Sequence, residues 1–233
     1  MSWRHHKDPR PRRKMTKQES TSPLEELIAK HSPEYIIGID EVGWGAIAGP
    51  VVVACAVYKV DFTDKRIRDS KTYTTGKARE KACAVVHETA VYVGYHEVSC
   101  GELEVQGPGP MLQFAFKSLA ERAISHFPNS LVIVDGSNKI KQFSHPQAAL
   151  PKADSYVTAV SAASILAKVS RDTTMTCLGE DFPEYEWFSN KGYGTPSHLG
   201  AISEAGVSVH HRHNIQTILD LEEKHGTYEG NRK

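Results

Sequence analysis

Two nearly uninterrupted apolar blocks, Tyr35–Asp40 (YIIGID) and Val51–Tyr58 (VVVACAVY), stand close together in the chain, and the first runs straight into a pair of carboxylates, Asp40 and Glu41. β-Branched residues dominate both blocks, which predicts strands. Between them lies Val42-Gly-Trp-Gly-Ala46, a glycine-rich stretch that predicts a loop. Strands this apolar need cover from other elements. Acids at the end of such a strand are expensive unless paired or bound to a cation.

The remaining sequence supplies the cover. Residues 77–90 put Ala78, Ala82, Val85, Val86 and Thr89 on one helical face. Val91–Ser99 reads as a third strand, and a turn region containing GPGP (107–110) leads into a helix bearing Leu112, Ala115, Phe116, Leu119 and Ala123. Leu131–Val134 reads as a short buried strand ending in Asp135-Gly136. Residues 156–172 read as a helix rich in small side chains (Ala159, Ser161, Ala162, Ala163, Ser164, Ala167), able to approach a sheet closely. Thr195, Pro196 and Gly206 mark the start and end of a further helix, and a last one carries Ile215, Ile218, Leu219 and Glu222. Three early strands followed by helix–strand units predict an α/β fold with a mixed central sheet, helices on both faces, and a small C-terminal helical extension from about residue 196.

Charge divides the chain. Lys+Arg and Asp+Glu both total 28, but residues 1–17 carry seven basic residues against one acid, Asp8, leaving the other 216 residues net negative. Residues 1–22 therefore read as a disordered basic tail, either solvated or a phosphate-seeking arm, and residues 23–233 as one catalytic domain. Hydrophobic residues at 39% and charged residues at 24% exclude wholesale disorder and fibrous classes. The longest apolar run, Val51 to Tyr58, is too short to span a bilayer. Scattered cysteines (Cys55, Cys83, Cys100, Cys177) without a C-x-x-C pair suit a reducing compartment. The expectation is a cytoplasmic monomer with no membrane partner.

Asp135 and Asp154 repeat the pattern of Asp40 and Glu41, one ending an apolar strand and the other preceding the small-residue helix. Open α/β sheets bind ligands at strand ends, and clustered carboxylates call for a hard cation such as Mg²⁺ or Mn²⁺. Two such ions sharing a carboxylate suit phosphodiester cleavage. Because consecutive strand residues face opposite ways, Asp40 and Glu41 share a site only if the chain turns at Glu41. The rival reading of Gly43-x-Gly45-x-x-Ala48 as a dinucleotide fingerprint fails on context: Pro50 and VVV stand where a helix should open, and two acids precede the loop. His210-His-Arg-His213 admits a metal reading.

Residues 40–50, DEVGWGAIAGP, resemble the opening signature of ribonuclease HII, D-E-x-G-R-G-x-x-A-G-P. In the same order, Asp69-Ser-Lys71 resembles that family's D-S-K, and Val134-Asp-Gly136 its third acidic motif. Lys152-Ala-Asp-Ser155 with residues 161–172 resembles K-x-D-S…S-A-A-S-I-L-A-K-V-x-R-D, and Lys191-Gly-Tyr-Gly-Thr195 with His198 resembles K-G-Y-G-T-x-x-H. The match runs from about residue 35 to 213, and Trp44 stands where the family usually has Arg. The resemblance implies a ribonuclease H-like fold and an endonuclease dependent on Mg²⁺ or Mn²⁺, two ions per site. Its implied substrates are RNA–DNA hybrids and duplex DNA containing single ribonucleotides, cut on the 5′ side to leave 3′-hydroxyl and 5′-phosphate ends, as in ribonucleotide excision repair and DNA replication. It implies Asp40, Glu41, Asp135 and Asp154 as the catalytic metal ligands. It further implies that Gly43, Trp44 and Gly45 sense the 2′-hydroxyl, that Tyr193 stacks on the next sugar, that Ser70, Lys71, Lys152, Lys168, Arg171 and Lys191 contact substrate, and that His211-Arg212 has a structural or substrate-proximal role.

Overall fold

A computed structural model describes residues 22–228; the basic tail up to residue 21 lies outside them. The chain divides between Ser32 and Pro33 into two units, each taken by itself. In the first, Ser22 opens helix α1 (Pro23–His31) through a capping box, its hydroxyl accepting from the Glu25 N–H and the Glu25 carboxylate accepting from the Ser22 N–H.

The second unit is built on five strands, β1 (Tyr35–Val42), β2 (Val51–Lys59), β3 (Tyr92–Val98), β4 (Ser130–Asp135) and β5 (Gln147–Leu150), in the order β3-β2-β1-β4-β5. The first three pair antiparallel, and β4 and β5 add in parallel to β1. Its helices are α2 (Gly76–Thr89), α3 (Cys100–Gln106), α4 (Pro108–His126), α5 (Thr158–Asp181), α6 (Trp187–Asn190), α7 (Pro196–Ala205) and α8 (Gln216–His225). The mixed sheet with helical cover is as expected. No helix among the described residues is long and apolar enough to cross a membrane.

Side chains alternate across the sheet. Ile37, Ile39, Val53, Val132 and Val134 join Leu103, Met111, Phe116 and Leu119 of α3 and α4 in one core. On the opposite face α5 lies across β1 and β2. Small residues permit that approach: a Cβ on Gly38 would come within 2.2 Å of the Ala159 carbonyl carbon. Helix α5 runs nine residues past the expected end at 172 because its last turns change partners. There Met175 enters a second core with Tyr185, Trp187, Ile202, Val207 and Ile218, which anchors the C-terminal helices.

Three elements escaped the sequence reading, α3, β5 and the short α6. The turn read at GPGP is narrower than expected. Gly107, at φ 80, separates α3 from α4, while Pro108 and Pro110 already belong to the first turn of α4, where a helix needs no N–H from them.

Candidate active site

The parallel register pairs Ile39 with Val134, so the next residues, Asp40 and Asp135, leave neighbouring strands side by side. After β5 a single 3₁₀ turn, Ala153–Ser155, brings up Asp154. One carboxylate oxygen from each of Asp40, Asp135 and Asp154 lies within 4.8 Å of the others. Asp40 and Asp154 are buried. The Oδ1 of Asp135 is buried with no hydrogen-bond partner among the described residues. Burial, reinforced by the charges of Glu41 and Asp135, holds the Asp40 carboxyl well above the usual carboxylate range. Burial and then the Asp154 charge push Asp135 up as well. Three converging acids, two of them raised by burial and by neighbouring carboxylates, with an orphaned oxygen among them, have the composition of a hard-cation site.

Glu41 stands outside this trio. The chain does not turn at Glu41: β1 continues to Val42, still paired with β2, and the bend comes at Gly43. Glu41 instead lines an open cleft of about 700 Å³ together with Asp135, Trp44, Leu112, Phe116 and Lys141. Burial, then the Asp135 charge, raise it to about 6. It borders the acidic group from the cleft side.

Several supporting contacts come from residues that look merely small in the sequence. Ser164 on α5 partly offsets the rise at Asp40, and its hydroxyl lies 2.9 Å from that of Ser70. Ser161 Oγ donates to the Asp154 carbonyl at 2.7 Å. Glu41 N–H donates to Asp40 Oδ1 at 2.8 Å. Ser70 is therefore a buried support rather than an open substrate contact. The one hint of Ser161 and Ser164 was a polar residue recurring at helical spacing in an Ala-rich run.

The expected phosphate contacts separate into two kinds. Lys71 is exposed, and its Nζ reaches Asp154 Oδ2 at 3.2 Å. Lys152 is exposed in left-handed backbone directly before the Asp154 turn. Lys168 pairs with Asp172 at 2.7 Å, and Lys191 donates to Thr176 Oγ1 at 2.8 Å, both partly buried. Arg171 is a correction. Its side chain is fully buried, and its guanidinium donates to the carbonyls of Pro50 (2.8 Å), Ala48 (3.0 Å) and Lys191 (2.8 Å). A guanidinium spent on three carbonyls inside the fold does not reach a phosphate.

Arg171 also explains the glycine at 43. Gly43 has φ 91, and a Cβ there would lie 2.2 Å from Arg171 Nε. Trp44 and Gly45 are exposed beyond it. Tyr193 is half-buried, with the Arg171 guanidinium 5.3 Å from its ring centroid.

The His210–His213 stretch resolves toward structure. Ser208 N–H donates to His211 Nδ1, so the His211 proton sits on Nε2 and is donated to His198 Nε2, 3.1 Å away. His198 Nδ1–H in turn donates to the Tyr193 carbonyl at 2.9 Å. Burial pushes His211 down to about 3 and lowers His198, so both rings are neutral. Among the described residues no histidine joins a metal-ligating group.

Comparison with known proteins agrees with this architecture. The family description Ribonuclease HII matches residues 37–218. Ribonuclease HII of Anaplasma marginale is 35% identical over 204 residues, 85% of this chain and 81% of that protein. The crystal structure of ribonuclease H2 from Pyrococcus horikoshii OT3 superposes with a TM-score of 0.68 at 24% identity, covering 81% of this chain and 97% of that one. Bst-RNase HIII in complex with Mn²⁺ gives 0.64 at 18% identity, over 90% of this chain and 72% of that one. With a family match over residues 37–218 and a relative 35% identical over 85% of the chain, the chain belongs to the ribonuclease HII family and so to the nuclease hydrolases.

Proposed function

We propose that this protein is an endoribonuclease that cuts the RNA strand of RNA–DNA hybrids and incises duplex DNA on the 5′ side of an embedded ribonucleotide. The observation that carries this reading is the meeting of Asp40, Asp135 and Asp154 within 4.8 Å, with one Asp135 oxygen buried and without a hydrogen-bond partner among the described residues. With Glu41 on the cleft side, these four acids would hold Mg²⁺ or Mn²⁺, as a pair of ions. Bound divalent cations supply charge neutralisation at the scissile phosphate and a water of lowered pKa.

The chain's own groups do the rest. The Glu41 N–H fixes the Asp40 carboxylate, and Lys71 balances Asp154. Lys71 and Lys152, both exposed beside the acids, are placed for phosphates of the incoming strand. The loop Gly43–Gly45 reads the 2′-hydroxyl, the group that distinguishes RNA from DNA, and Tyr193 stacks on the following sugar. Hydrolysis in this sense leaves a 3′-hydroxyl and a 5′-phosphate, the ends that ribonucleotide removal during repair or replication requires.

The test is a labelled duplex with one ribonucleotide, set beside an all-DNA duplex and an RNA–DNA hybrid, in Mg²⁺, Mn²⁺ and EDTA. A single nick 5′ to the ribonucleotide, extendable by a polymerase and abolished by EDTA, is the expected result. Cutting of the all-DNA duplex at comparable rate, or cutting that persists in EDTA, refutes the reading.

A further inference from the structure

Beneath the loop that leaves β1 lies a second buried arginine. Arg212 is 3% exposed, and its guanidinium donates to two carbonyls of that loop. Nε and Nη2 both reach the Gly49 carbonyl, at 3.0 and 2.9 Å, and Nη1 reaches the Trp44 carbonyl at 3.0 Å. No carboxylate lies within salt-bridge distance among the described residues, so backbone carbonyls are its main partners. A buried cation is costly, and burial pulls Arg212 down to about 10. So expensive a group calls for an explanation beyond filling space.

Peptide geometry supplies one. In a trans peptide the C=O and the following N–H point in opposite directions from the same rigid plane. The Trp44 carbonyl is drawn inward by Arg212, so the N–H of Gly45, in the same plane, is turned outward. The Gly45 N–H donates to no acceptor among the described residues, and Gly45 is exposed with open space where a Cβ would be. The adjoining peptide is fixed separately, since Ala46 N–H donates to the Gly43 carbonyl at 3.2 Å. Arg171 pins the far end of the same loop at Ala48 and Pro50.

We infer that Arg212 is a positioning residue for ribose recognition, holding the Trp44–Gly45 peptide with its N–H presented to the 2′-hydroxyl oxygen of the substrate. The inference rests on the function proposed above and names the group that orients its reader. A lysine in place of Arg212 offers a single ammonium that cannot hold Trp44 and Gly49 in one fork. The peptide would then be free to rotate, and the outward N–H would be lost without any change at the acids.

The experiment uses the full chain carrying Asp135→Asn, so that duplexes are bound without being cut, in buffer containing Mg²⁺. Affinity is measured for a duplex with one ribonucleotide and for the same duplex in all-DNA form. The parent should prefer the ribonucleotide duplex by tenfold or more. Adding Arg212→Lys should bring the ratio to within threefold of unity while the all-DNA affinity changes less than threefold. A generally loosened fold would lower both affinities together and leave the ratio standing. Gly45→Pro, which deletes the outward N–H at an exposed position and leaves Arg212 in place, should collapse the ratio in the same way. Retention of the parent's preference by Arg212→Lys, or equal loss for both duplexes, overturns the inference. Should Arg212→Lys fail to fold, Gly45→Pro decides, and a preserved ratio there overturns it. A parent with no ribonucleotide preference at all would instead overturn the functional reading, and this inference with it.

Discussion

Replacing Glu41 by Gln should stabilise the metal-free protein. Burial and the neighbouring Asp135 raise Glu41 from 4.5 to about 6, so its ionised form is disfavoured in the folded state. At about 1.4 kcal/mol per pH unit, that displacement costs about 2 kcal/mol once the group is ionised in both folded and unfolded chains. The sign follows from linkage: a carboxyl raised on folding favours the folded state only while protonated, and that advantage is lost as pH rises through about 6. Glutamine carries no charge at any pH. In EDTA at pH 8, Glu41→Gln should therefore melt higher by about 4–8 °C, taking about 2–4 °C per kcal/mol for a domain of this size. Near pH 4.5 the advantage should shrink to about 0.4 kcal/mol, where the native carboxyl is mostly protonated. Saturating Mg²⁺ should reverse the order at pH 8, because the wild type gains more from a cation that its extra carboxylate helps to bind. Differential scanning calorimetry at the two pH values, with and without Mg²⁺, reads all three outcomes. A variant that is neutral or less stable at pH 8 in EDTA would refute the electrostatic account of the site.

Asp135→Asn should abolish cleavage of a ribonucleotide-containing duplex while the protein stays folded, as followed by single-turnover assay and circular dichroism; a near wild-type rate would remove Asp135 from the site. Ser164→Ala removes the partner of Ser70 beside Asp40 and should weaken Mn²⁺ binding about fivefold by calorimetric titration, matching about 1 kcal/mol for one buried hydrogen bond. Trp44→Arg replaces an exposed indole at the cleft edge by a guanidinium. It should tighten binding of the duplex by about 1–2 kcal/mol without moving the cut, and a shifted cut site would contradict backbone reading of the sugar. Gly38→Ala forces a Cβ against the backbone of Ala159 and should cost about 3 kcal/mol in a urea melt.

Two of the strands and their acids were legible because each combined two local signals, a β-branched run and a carboxylate at its end. Asp40 and Asp135 show this on β1 and β4, and the parallel register converts two separate strand ends into one site. The four residues of β5 and the seven of α3 were not legible, since neither is long enough to show a period. Arg171 was misread for a physical reason. In a sequence an arginine reads as surface charge, and nothing local discloses that backbone carbonyls of two loops will surround it. Ser164 was hidden differently, as one small residue among many whose evident purpose was close packing. Glu41 was placed in the site but by a turn that does not occur; the strand simply continues, and Glu41 meets Asp135 from the cleft.

The contact at Gly38 joins the backbone of β1 to that of α5 with no side-chain layer between them. Sliding or tilting α5 would therefore part backbone from backbone rather than compress side chains, so helix and sheet open as one cooperative unit. Ser161, Ser164 and Arg171, which brace the acids and the loop, all ride on that unit. Amide hydrogens across Ala162–Ala167 should accordingly exchange with solvent only when the whole domain unfolds. Those of α8, where Ile218 is the only residue assigned as buried, should exchange through local fraying. Substrate thus meets supports that were ordered once, during folding, and little further ordering is needed at the acids with each turnover.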